Sequence, residues 1–152
     1  MKKVEISVPP INRWFLVCGA LLAGFSVVLG AFGAHGLKQV LSPNSLITFE
    51  IAVRYQMYHG LALLLLPVLA AYVTGKWLNR VAVCFIIGCL LFSGSLYALA
   101  VTGIKWFGPI TPIGGMFFIV GWGLLVVGLI KTRALIGETE KKGEIGENDA
   151  KS

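Results

Sequence analysis

Four long stretches of this chain carry no charged side chain: Trp14 to about Ala34, about Met57 to Val73, Val81 to Val101, and about Ile113 to Ile130. A helix crosses the roughly 30 Å of a bilayer's hydrocarbon in about 20 residues, and these stretches approach or reach that length. β-barrel strands would alternate polarity over segments of about ten residues. Runs such as Leu61–Leu66 and Cys84–Phe92 show no alternation. Helices also close their backbone hydrogen bonds internally, which hydrocarbon demands. The predicted fold class is therefore all-α, an integral membrane four-helix transmembrane bundle.

Composition agrees. Of 152 residues, 57% are apolar and 13% charged, against roughly a quarter charged in soluble domains. A soluble domain this small could not bury so much apolar surface. Soluble enzymes, nucleic-acid binders and secreted disulfide scaffolds are excluded as classes. The net charge of +6 does not restore a nucleic-acid reading, because the basic residues before Lys131 are scattered singly over chain ends and loops.

The predicted organisation is a cytoplasmic N-terminal segment (1–13), a transmembrane domain (14–131) and a disordered cytoplasmic tail (132–152). The spans are placed at about 14–34, 55–73, 81–101 and 112–131, with the second helix extended back to about 43. Two to three of its turns are expected to protrude beyond the hydrocarbon. The tail mixes Glu, Lys and Gly without an aromatic residue, so it has little to offset the entropy of ordering. The first apolar run is too long, and starts too late, for a cleaved signal peptide. Lys2, Lys3, Arg13, Lys76, Arg80, Lys131 and Arg133 fall on one side, and Lys38, Arg54 and Lys105 on the other. Both termini are thus expected in the cytoplasm of a bacterial inner membrane.

Small residues recur at helical spacing: Gly19, Ala23, Ser26, Gly30 and Gly33 in span one, Gly88, Ser95 and Thr102 in span three, and Gly114, Gly121 and Gly128 in span four. Close backbone approach through such faces holds membrane helices together. They fit packing within one chain or between copies. Pro67 predicts a kink in span two. Ser42-Pro43 and Thr111-Pro112 predict the N-cap and first position of the second and fourth helices.

Polar residues concentrate at the predicted outer edge. His35 follows span one, and Glu50, Arg54 and Tyr58 stand at i, i+4 and i+8 on one helix face, with Tyr55 and His59 as a second pair. These six residues form the candidate ligand-binding or functional cluster. Glu50 and Arg54 are expected to neutralise each other and tie span two to the loop after span one, or else to contact a ligand or transported ion. His35 and His59 lack further ligands at metal or haem spacing. Cys18, Cys84 and Cys89 read as small hydrophobes. No catalytic, cofactor or metal motif is present: the glycines of 30–36 follow no strand, and no base adjoins Ser93 or Ser95.

Gly30-Ala-Phe-Gly-Ala-His-Gly-Leu37, Phe49-Glu-Ile-Ala-Val-Arg-Tyr-Gln-Met-Tyr-His59, Phe92-Ser-Gly-Ser-Leu-Tyr97 and Thr111-Pro-Ile-Gly-Gly115 resemble the YgdD/YwdK-like family of small bacterial inner-membrane proteins. The resemblance covers roughly residues 12–133. It implies a membrane location and a four-helix plan, with no settled activity, substrate or cofactor. The expected function is non-enzymatic: a multi-pass protein in the lipid bilayer acting as an accessory or assembly partner of a larger membrane complex. A homo-oligomer or larger assembly would form through the small-residue faces, and no nucleic acid is involved. The alternative is a dimeric transporter or channel for an ion or small solute.

Overall fold

Ser42 starts the second helix as expected. Its hydroxyl accepts from the Ser45 amide at 3.2 Å, and Pro43, lacking an N–H, takes the first helical position. The computed structural model describes the backbone of residues 13–149 and the side chains of residues 13–132. Helix α1 spans Arg13–His35, α2 Pro43–Leu65, α3 Gly75–Gly88, α4 Gly94–Thr102 and α5 Ile110–Asp149. A π-helical turn, Cys89–Ser93, joins α3 to α4, making one rod from Gly75 to Thr102. The described residues thus form four antiparallel rods and no strand, and the all-α bundle is what the chain adopts. The tail expected to be disordered, 132–152, falls mostly outside the described side chains, although the backbone of α5 runs to Asp149.

Two expectations at helix ends need correction. Pro67 ends α2 rather than kinking it. The Leu63 carbonyl, which would have taken the missing proline N–H, accepts from Leu66 at 3.4 Å, and a 3₁₀ turn follows over Val68–Ala71. Thr111 is not the cap of α5, which begins at Ile110. Its hydroxyl instead meets that of Ser95 at 2.7 Å, linking α5 to α4.

The small-residue faces are used within the chain. Gly19, Ser26 and Gly33 are buried on α1 and face α2. A Cβ on Gly19 would meet the Gly60 carbonyl oxygen at 2.9 Å, and one on Gly60 would meet the Ala23 nitrogen at 2.9 Å. Gly121 receives the Phe85 ring, Gly128 receives Val73 and Trp77, and Gly114 lies against the Phe92 backbone. Thr102 departs from the pattern and is exposed.

These contacts set the register. Gly19 lies opposite Gly60 and Leu63, Gly30 opposite Val53, and Gly33 opposite the Phe49 ring. Helix α2 is therefore matched to α1 along most of its length. About one turn of α2 projects past the end of α1, and Gln56 and His59 lie level with the middle of α1.

The exterior is as apolar as the core, and a few polar side chains are buried within that core. Phe25, Val27 and Val28 of α1, and Ile119, Val126 and Ile130 of α5, are exposed, while Ser26, Gln56, His59, Ser93 and Ser95 are buried. Three rods are long and apolar enough to cross a membrane: Arg13–Gln39, Gly75–Thr102 and Lys105–Thr132. The second rod is too polar to meet that measure, since it carries Glu50, Arg54, Gln56 and His59.

Candidate functional site

A polar seam runs through the middle of the bundle. Gln56, buried on α2, donates from Nε2 to the Leu22 carbonyl of α1 at 2.9 Å, while its Oε1 accepts from the Tyr97 hydroxyl of α4 at 3.1 Å. The same Leu22 carbonyl accepts from Ser26 at 2.8 Å. Ser93, in the π turn, donates to the Ala52 carbonyl of α2 at 2.9 Å. One amide thus ties three rods together, with both of its ends satisfied.

His59 sits one turn further along α2 and is 4% exposed. Its Nδ1 lies 2.8 Å from the Tyr55 carbonyl oxygen, which can only accept, so Nδ1 carries the proton. Its Nε2 then accepts from the Trp122 indole at 3.3 Å. These two partners select the neutral Nδ1–H tautomer. The ring stacks on Phe118 with centroids 3.5 Å apart and 10° between planes, and the Phe85 ring stands edge-on at 5.0 Å. Phe118 can lie this close because it crosses Gly88, where a Cβ would collide with its ring. Such stacking comes from van der Waals contact and ring electrostatics together.

Three of the six predicted residues come together, the Tyr55 ring lying 6.2 Å from that of Tyr58 and stacked at 6.3 Å on that of His59, and the other three stand apart from them. His35 is exposed at the end of α1, about 12 residues of register from His59, or roughly 18 Å at 1.5 Å per residue. The two histidines therefore share no site. Glu50 and Arg54 are both exposed, and the expected ion pair between them is not formed among the described residues. They border a cavity of about 250 Å³ whose other walls are Gly30, Gly33, Phe49 and Val53. Tyr55 packs on Phe92 with centroids 4.6 Å apart and shares Phe118 with His59. Tyr58 lines an apolar groove of about 350 Å³ with Leu61, Leu65, Phe85 and Trp122.

Gln56, Ser93, Tyr97 and Trp122 belong to the seam and were missed as site residues. A polar side chain inside a transmembrane stretch is a usable signal, because it is costly there unless partnered. The hydropathy pattern alone puts His59 at the membrane edge instead and singles out no role for Gln56. Chemically, the seam locks helices in register. Both ends of the Gln56 amide and both His59 nitrogens already have partners.

The family model described as "Protein of unknown function (DUF423)" matches residues 29–115, which takes in the end of α1, all of α2, and Gln56, His59, Ser93 and Tyr97 of the seam. A UPF0382 membrane protein of Staphylococcus saprophyticus is 50% identical over 117 residues, covering 77% of this chain and 97% of the relative. Its counterpart in Staphylococcus haemolyticus is 46% identical, covering 78% and 97%. The UPF0382 membrane protein YwdK of Bacillus subtilis is 41% identical, covering 77% and 96%. No solved structure matches. With an apolar exterior, hydrogen-bonded polar side chains set in its core and relatives of this similarity, the chain is a membrane protein and belongs to the DUF423 (UPF0382) family of unknown function, the YwdK-like group its motifs resemble.

Proposed function

We propose that this is a multi-pass protein of the bacterial inner membrane, with both termini cytoplasmic, which acts without catalysis as an accessory or assembly partner of a larger membrane complex. The observation that carries this reading is the saturation of the seam. Polar side chains at mid-depth bond to one another and to backbone, so they stabilise a scaffold and leave its faces for contacts. Purification in mild detergent at native expression is expected to bring down a stoichiometric partner protein. A lone, clean chain would overturn the reading.

The ends of the rods support this orientation. Arg80 and Lys131 both lie 5.5 Å from the Trp77 ring, so the end of the bundle that holds the 66–77 turn gathers basic charge on an amphipathic aromatic. Lys38 and Lys105 lie at the opposite end. Reporter fusions at Lys76 and at Arg133 are expected to read cytoplasm, and fusions near Lys38 or Lys105 the outside. An external signal at Arg133 would mean an odd number of crossings.

One observation favours the transporter reading as an alternative. His59 is an ionisable residue at mid-depth, a common feature of transport pathways, and its Trp122 partner also walls the apolar groove. Proteoliposome flux that disappears in His59→Phe would put transport ahead of the scaffold role.

A further inference from the structure

Helix α2 turns one stripe away from its own bundle: Ile47, Glu50, Arg54, Tyr58, Leu61 and Leu65 are all exposed. Their steps of three, four, four, three and four keep them on a single face, the spacing by which one helix seats along another. The stripe is apolar at both ends and charged in its first half.

Its depth makes those charges a problem for an isolated chain. Val53 lies opposite Gly30 and Phe49 opposite Gly33, so Arg54 and Glu50 stand at about those levels of α1. Counted from the middle of α1, Arg54 is about 8 Å and Glu50 about 13 Å along the axis, both inside a hydrocarbon half-thickness of about 15 Å. Charged side chains at such depth are partnered or face protein. No ion pair holds either of them among the described residues. Arginine can extend toward the headgroups, but Glu50 is short and lies on the same face.

We propose that a second copy of this chain covers the stripe, α2 against α2, with Glu50 of each copy paired to Arg54 of the other. Two copies inserted the same way are related by a two-fold axis along the membrane normal, so their α2 helices run parallel and each stripe meets itself. One helical turn separates Glu50 from Arg54, about 6 Å of rise, which an arginine spans diagonally. The result is two reciprocal ion pairs with no net charge, flanked by Ile47 on one side and Leu61 and Leu65 on the other. The glycine faces play no part, because the chain's own helices occupy them. This inference refines the assembly role proposed above by naming one partner. It is separable from that role: a different stoichiometric protein with no self-association would sink the dimer alone, and a dimer without other partners would sink the accessory role alone.

The test uses two differently tagged full-length copies expressed together and captured through one tag in mild detergent. Wild-type copies are expected to co-purify. Glu50→Arg with itself, and Arg54→Glu with itself, place like charges across the interface and are expected to lose at least ten-fold of the captured copy. Glu50→Arg expressed with Arg54→Glu rebuilds both pairs between chains, though neither chain can form the pair within itself, and capture is expected to return. Monomeric wild-type protein, or a mixed pair no better than either variant alone, would overturn the proposal in favour of an intrahelical pair, a lipid or another protein. If the charge variants do not accumulate, bismaleimide crosslinking of Ile47→Cys, at the membrane edge where a thiolate can form, decides the matter in native membranes, with Cys18, Cys84 and Cys89 replaced by alanine. A dimer-sized product is expected there and none with His35→Cys, at the same level on α1; equal products from both, or none from Ile47→Cys, would overturn it.

Discussion

Gly60→Val is expected to separate α1 from α2 and to deplete folded protein in the membrane. The added Cβ would meet the Ala23 nitrogen at 2.9 Å and the Gly19 carbonyl oxygen at 3.1 Å. Both are backbone atoms held inside a helix, so neither can rotate aside as a side chain could. Overpacking a core typically costs about 1–3 kcal/mol, and with backbone on both sides the loss belongs at or above the top of that range. The displacement also disturbs the Gln56 bond to Leu22, since both contacts depend on the same spacing of α1 and α2. Gly24→Val is the control, because nothing lies within 4 Å of its added Cβ. The midpoint of thermal unfolding in detergent is expected to fall sharply for Gly60→Val and hardly at all for Gly24→Val. Equal stability of the two variants would show that the α1–α2 register is not what the glycine pair sets.

The second large effect is expected at His59. Truncation to alanine removes the ring stacked on Phe118 and leaves the Trp122 indole without its acceptor. Losing a large buried side chain costs about 3–5 kcal/mol. His59→Phe separates the two contributions, since it keeps the stack and removes the acceptor, for about 1–3 kcal/mol from the unpaired indole. Trp122→Phe in the His59→Phe background removes that orphaned donor, so the double variant is expected to lose less than the sum of the two single losses. Strict additivity would show that the hydrogen bond between them contributes nothing to stability.

Those two sites differ in how far they could be read in the sequence. The glycine faces were legible because a helix returns to the same side every 3.6 residues. Gly19, Ser26 and Gly33, or Gly114, Gly121 and Gly128, therefore mark a surface before any partner is known. Whether that surface serves the same chain or another copy was not legible. The fold answered it by placing Gly60 and Phe85 there. His59 was visible as a residue and misplaced in depth. Hydropathy starts a span after the last strongly polar side chain, so a helix whose polar residues face inward is drawn too short and too far along the chain.

The sequence by itself determined the class, the number of rods and the Ser42 cap, because these follow from local properties: charge-free length, backbone hydrogen bonding in hydrocarbon, and the chemistry of one turn. Tertiary structure alone decided where each rod stands against the next. It slid α2 along α1 until Gly60 met Gly19. That step carried Gln56 and His59 to mid-depth and left Glu50 and Arg54 facing out. The physical reason is that helix register in a membrane is chosen by close fit between particular backbones. A hydropathy pattern is nearly unchanged by a slide of one or two turns, whereas a missing Cβ fits its partner at a single position.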